Sequence, residues 1–192
     1  MANKDAAFGF RPTRHLTGGQ IRAEEYAIAA NYNTAIYNGQ VVGAVAAGGI
    51  AIASAGDTQN AGVFGGVFYT DPTTSKPTWS NYYPADTNAS DLKATVYTDP
   101  MIVFEAQHDE TGTAAMNHAN LDFVGTSGSA INGQSSSEID TSTANAGSSA
   151  GGNFKQIGIS TDPDNSDTSS ANVNAYCVAN TGLHIFKLTT AV

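Results

Sequence analysis

Leu92-Lys93-Ala94-Thr95-Val96-Tyr97-Thr98-Asp99-Pro100-Met101-Ile102-Val103-Phe104-Glu105-Ala106-Gln107 is the stretch that decides the fold. Leu92, Ala94 and Val96 alternate with Lys93, Thr95 and Tyr97, and Ile102, Phe104 and Ala106 share one face of the second run. Successive side chains of a strand point to opposite faces, so this alternation predicts two strands, Leu92–Tyr97 and Met101–Gln107, each with one face to bury. Thr98-Asp99-Pro100 between them is a turn, because proline fixes its own φ and removes an N–H donor.

The same reading extends in both directions. Asn38-Gly39 is a turn signal, followed by a strand over Gln40–Ala46, a turn at Ala47-Gly48-Gly49 and a second strand over Ile50–Ser54. Gly62-Val63-Phe64-Gly65-Gly66-Val67-Phe68-Tyr69 is an aromatic strand interrupted by glycines, where a bulge or the close approach of a second backbone is expected. Downstream, Phe154–Ile159, Val173–Ala179 and Leu183–Leu188 read as strands around a polar turn over Ser160–Asn172, and Thr113–Leu121 as a short helix. Ile21–Ala30 reads as a short helix or strand. Some eight short strands joined by turns predict an all-β protein, a single β-barrel or β-sandwich domain.

Two regions stand apart by composition. Residues 1–22 hold Lys4, Arg11, Arg14 and Arg22, four of the eight basic residues, against the single acid Asp5. Phe8 and Phe10 flank Gly9, and Gly18 and Gly19 follow. This predicts an extended basic N-terminal arm at 1–22 attached to a β-rich body at 23–192. Within that body, Gly125–Gly152 is rich in Ser, Thr, Gly, Ala and Asn, with Ile131 and Ile139 as its large apolar residues. It is expected to be an exposed low-complexity loop outside the core. A third segment, residues 71–90, is a Pro-rich connection carrying Trp79, Tyr82 and Tyr83, which marks a possible interface loop.

Charge narrows the function classes. The chain has a formal net charge of −9, yet charged residues make only 13% of it, about half the usual share. An acidic body cannot release phosphate counterions, so nucleic acid is not an expected partner. A basic arm on an acidic body instead suits docking onto an acidic protein surface. The apolar run Val41–Ala55 is short and broken by Gly43, Gly48 and Gly49, so no membrane span is expected. Residues 1–20 lack the continuous apolar stretch of a secretory signal. Cys177 sits among Ala175, Tyr176 and Val178, which suits a small buried hydrophobe.

Catalytic constellations are weak. Gly147-Ser148-Ser149-Ala150-Gly151 has the spacing of a hydrolase nucleophile elbow, but lacks the apolar strand before it and the helix after it. His108, Asp109, Glu110 and His118 fit no compact ligand spacing for zinc. Asp162, Asp164 and Asp167 crowd one turn, yet Asp167 and Val173 stand where a calcium loop needs glycine and a bidentate glutamate. The expectation is therefore a protein without catalytic residues, metal or cofactor.

Residues 1–16, Met-Ala-Asn-Lys-Asp-Ala-Ala-Phe-Gly-Phe-Arg-Pro-Thr-Arg-His-Leu, with Gly18-Gly19-Gln20-Ile21, resemble the start of small virion structural proteins of marine tailed phages. Asn38-Gly39-Gln40-Val41-Val42, Gly62–Val67, Asp99-Pro100 with Phe104-Glu105-Ala106-Gln107, and Asp162-Pro163-Asp164-Asn165 look like further segments of that group. The resemblance implies a capsid decoration, or cement, protein: a β-rich, often trimeric subunit on the outer surface of the virion, clamping neighbouring copies of the major capsid protein. In that role Lys4, Arg11, Arg14 and Arg22 would meet shell carboxylates, and Phe8 and Phe10 would anchor the arm in pockets. The alternative is a tail or head-fibre adhesin that stacks Trp79, Tyr82 and Tyr83 on sugar rings.

Overall fold

The computed structural model describes residues 3–145 and 151–186. Strand and bridge residues make up 44% of the described residues, which contain no α-helix. The first strands are β1 (Arg11–His15), β2 (Glu24–Ala27), β3 (Val41–Ala44), β4 (Ile50–Ile52) and β5 (Asn60–Thr70). They are followed by β6 (Pro77–Ser80), β7 (Lys93–Tyr97), β8 (Ile102–Gln107), β9 (Asn120–Val124) and β10 (Gly128–Ser129). The remainder are β11 (Gln134–Ser135), β12 (Glu138–Asn145), β13 (Phe154–Ile159) and β14 (Asn174–Ala179).

Apart from the separate two-stranded pair β10–β11, these strands form two large antiparallel sheets. Sheet I has the order β1-β8-β14-β13-β9-β12, and sheet II the order β2-β7-β5-β3-β4 with β6 added to β5. Neither closes on itself, so the architecture is a β-sandwich and the barrel alternative falls. The strands predicted over Leu92–Tyr97 and Met101–Gln107 fall in different sheets: β7 belongs to II and β8 to I. Thr98-Asp99-Pro100 is thus a corner between layers.

Alternation along each strand sorts side chains into two cores. Phe104, Leu121, Phe123, Ile139 and Phe154 of sheet I pack with Val41 and Val63 of sheet II in one cluster. Val42, Phe64, Val67, Ala94 and Val96 join a second cluster with Ile28, Ile36, Tyr83 and Leu92 from connecting segments. Connections that would otherwise be surface loops therefore roof one face of sheet II.

Four expectations change. Residues 3–15 do not stand off as a free arm. Asn3 donates to the Asp167 and Ala171 carbonyls, the Lys4 carbonyl accepts from Gln107, and β1 pairs antiparallel with β8. The span Gly125–Gly152 is not a loop outside the core, since it supplies β10, β11 and the edge strand β12, with Ile139 buried. Its hydroxyls make this possible: Ser137 donates to the Gly125 carbonyl, and Thr143 donates to the Asp140 carbonyl while accepting from the Asp122 N–H, so small polar residues satisfy the backbone without bulk. Ile131 does stand fully exposed. The expected helix over Thr113–Leu121 is one 3-10 turn at Ala114–Met116 running into β9, whose Leu121 and Phe123 face the core. The expected strand over Leu183–Leu188 is a turn through Phe186 with a single bridge from His184 to Asn60. Lys187 and Leu188 lie outside the described residues, as do Gly147 to Ala150 of the serine motif.

Candidate functional site

Of the basic residues expected in the arm, Arg11 and Arg14 lie on β1, the edge strand of sheet I, while Lys4 precedes that strand and Arg22 follows it. Phe10, expected to anchor in a partner, fills this chain's own core instead. It is fully buried, stacked on Phe154 with centroids 4.3 Å apart, and set edge-on to Phe123. Gly9 makes that entry possible. At φ +73° its backbone lies against Gly39, where a Cβ would stand 2.8 Å from the Gly39 oxygen, and the Phe10 N–H donates to that same oxygen. Phe8 is half-buried, and the Arg11 guanidinium rests 4.7 Å from its ring centroid.

Arg11 also pairs with Glu105, directly opposite on β8. The Glu105 side chain is nearly buried, and its second oxygen accepts from Ser160, whose hydroxyl also contacts the Tyr176 phenol. Arg14 lies 4.7 Å over the Tyr176 ring. Both arginines are thus exposed yet held in place by aromatic and ionic contacts. Lys4 is exposed further along. His15 ends β1, with Nε2 3.0 Å from Asp99. Burial opposes the Asp99 charge, but the Met101 N–H and the His15 ring outweigh it and hold the carboxyl below its usual range.

Asp99 borders a cleft of about 650 Å³ lined also by Arg22, Glu24, Glu25, Tyr26, Thr98, Pro100 and Phe186. Arg22 therefore serves a mixed-charge cleft. His184, 2% exposed, is pushed by burial down to about 4 and is neutral at pH 7.

The aromatic loop also divides. Tyr83 is buried, with its hydroxyl donating to the Tyr32 carbonyl. Tyr82 stacks on Tyr37 with centroids 5.6 Å apart. Only Trp79 of the three faces solvent, 60% exposed, and β6 pairs it directly with Phe68, 43% exposed. Phe68 was not singled out in the sequence. The signal that could have found it is parity: Val67 and Tyr69 point into the core, so Phe68 between them points out.

The residues read for chemistry are occupied locally. His108 is buried between the Val173 carbonyl and the Gln156 amide oxygen, and Asp109 accepts from Thr141. His118 lies elsewhere, with its carbonyl bound by Lys155. Asp162 accepts from the Asp164 N–H, and Asp167 from Ser169 and Ser170. Among the described residues no group of three His, Cys, Asp or Glu side chains converges as metal ligands. Cys177 is buried, and burial pushes its thiol up, away from the reactive thiolate.

None of the family models, curated proteins or solved structures compared with the chain matches it.

Proposed function

We propose that this chain is a non-enzymatic structural protein that decorates the outer surface of a tailed-phage capsid, binding the major capsid protein through the β1 edge. The observation that carries this reading is the exposed, braced pair Arg11 and Arg14 on the edge strand of an otherwise acidic chain. Cations already fixed in place lose little side-chain entropy on docking, so an acidic partner gains from them at low cost. Many copies on one shell then add avidity to a weak single contact. Self-association into trimers fits the same role. The runner-up, a tail or head-fibre adhesin, draws on the Trp79 surface.

Deleting the first twenty residues is a poor test, because it removes Phe10 from the core and β1 from its sheet. Charge reversal at Lys4 and Arg14 spares the Arg11–Glu105 pair and is the better probe. Lys4→Glu with Arg14→Glu should weaken co-sedimentation with expanded capsids at least tenfold, and added salt should weaken the unaltered protein as well. Undiminished binding by the double variant would sink the β1-edge mechanism.

A further inference from the structure

The hairpin β5–β6 presents a second surface that the capsid reading does not use. Phe68 stands opposite Trp79 on one side and Lys93 on the other, and Gly66 stands opposite Thr95. Directly paired residues share a face, so Phe68, Trp79, Lys93, Thr95 and Gly66 belong to one side of sheet II. The Trp79 benzene ring lies across Gly66. A Cβ there would stand 2.8 Å from Cζ2, 3.2 Å from Cε2 and 3.1 Å from the Ser80 oxygen. Gly66 has φ +139° and is buried beneath the indole. The ring is therefore floored by backbone on one face and open on the other, a flat platform with Phe68 beside it.

We infer that this platform is a saccharide-stacking site for an uncharged glycan. Size favours a sugar over a protein. A stable protein interface needs roughly 800 Å² on each side. Two half-exposed rings offer only about 200 Å² between them, which is the scale of one or two pyranose rings. The apolar C–H face of a pyranose meets an aromatic face well, and its rim of hydroxyls needs polar partners.

The border supplies them. Lys93 and Glu25 stand 3.5 Å apart and largely exposed, and Thr95, on the same strand as Lys93, pairs directly with Glu25. Next to Phe68, Asp91 binds both the Thr70 N–H and its hydroxyl. One ammonium against two carboxylates leaves this rim net negative, on a chain of net charge −9. An acidic polysaccharide would be repelled. A neutral glycan finds both donors and acceptors.

Trp79 is the sole tryptophan, so emission excited at the red edge, where the eight tyrosines do not absorb, reports on this site alone. The probes are cellohexaose, maltohexaose, chitohexaose and mannohexaose, with oligoguluronate as the acidic arm. The full chain should show a saturating, blue-shifted emission with at least one neutral hexasaccharide, with a dissociation constant on the order of 1 mM. Oligoguluronate should leave the spectrum unchanged. In affinity electrophoresis on the sugar that responds, Trp79→Ala should lose at least tenfold in retention and Phe68→Ala several-fold, with Trp79→Phe in between. The proposal is overturned if no neutral sugar gives a saturating change, if Trp79→Ala binds equally well, or if oligoguluronate binds best. A Trp79-dependent dimer in sedimentation velocity, or Trp79-dependent capsid binding without any sugar response, would reassign the patch to a protein partner. The Lys4→Glu, Arg14→Glu variant should titrate with sugar normally, so failure of the capsid reading and failure of this one are separable.

Discussion

The N-terminal segment and the β5–β6 hairpin carry the same local signal and use it in opposite ways. Each places phenylalanine beside glycine: Phe8-Gly9-Phe10 in one, Phe64-Gly65-Gly66-Val67-Phe68 in the other. At Gly9 the missing side chain lets two backbones touch, and Phe10 turns inward onto Phe154. At Gly66 the missing side chain makes room for the Trp79 ring, and the aromatic surface stays in water. A glycine next to an aromatic marks a close approach. What approaches decides whether the aromatic stabilises the fold or remains free to bind.

That contrast can be broken most directly at Phe10. Phe10→Ala empties a fully buried site between Phe123 and Phe154 and should cost about 3–5 kcal/mol, measured by denaturant unfolding. A loss below about 1 kcal/mol would mean the N-terminal segment is an appendage after all. Gly9→Ala should cost about 2 kcal/mol, since the new methyl meets the Gly39 oxygen in a backbone conformation unfavourable to alanine.

A smaller effect tests how the segment lies across sheet I. Burial, with the Asp5 and Asp109 charges, raises the Glu138 carboxyl to about 7. The folded state then holds a proton that the unfolded chain, near 4.5, releases. The resulting stability is full below about pH 4.5 and is lost as pH rises through 7. Glu138→Gln should therefore melt with the unaltered protein at pH 4 and roughly 2 °C above it at pH 8, a modest shift because the group is partly solvated. An equal shift at both pH values would remove the charge argument. Smallest of all, Trp79→Ala should change stability by under about 0.5 kcal/mol, because its ring is mostly in water.

Much of sheet II and the centre of sheet I is legible in the sequence. Leu92, Ala94 and Val96 alternate strongly, and β13 falls on the expected residues Phe154–Ile159. The misread segments share a cause. In Gly125–Gly152 the cue was composition, and composition does not record that hydroxyls such as Ser137 and Thr143 can bond backbone groups around an edge strand. In residues 1–22 the cue was charge, which places Arg11 and Arg14 at the surface correctly but says nothing about Phe10 between them and the core. Of the three loop aromatics, Trp79 faces solvent while Tyr82 and Tyr83 are spent on Tyr37 and Tyr32. No short-range pattern distinguishes them.

By itself the sequence determined the all-β class, the positions of seven of the fourteen strands among the described residues and the glycines that punctuate them, because period-two alternation and turn chemistry act over a few residues. Only the tertiary structure decided that β7 and β8 part into different sheets, that Phe10 is core, and that Phe68 and Trp79 form the open platform. Those outcomes depend on which strands pair across long sequence separations, as Arg11 with Glu105. Local propensity carries no record of such partners.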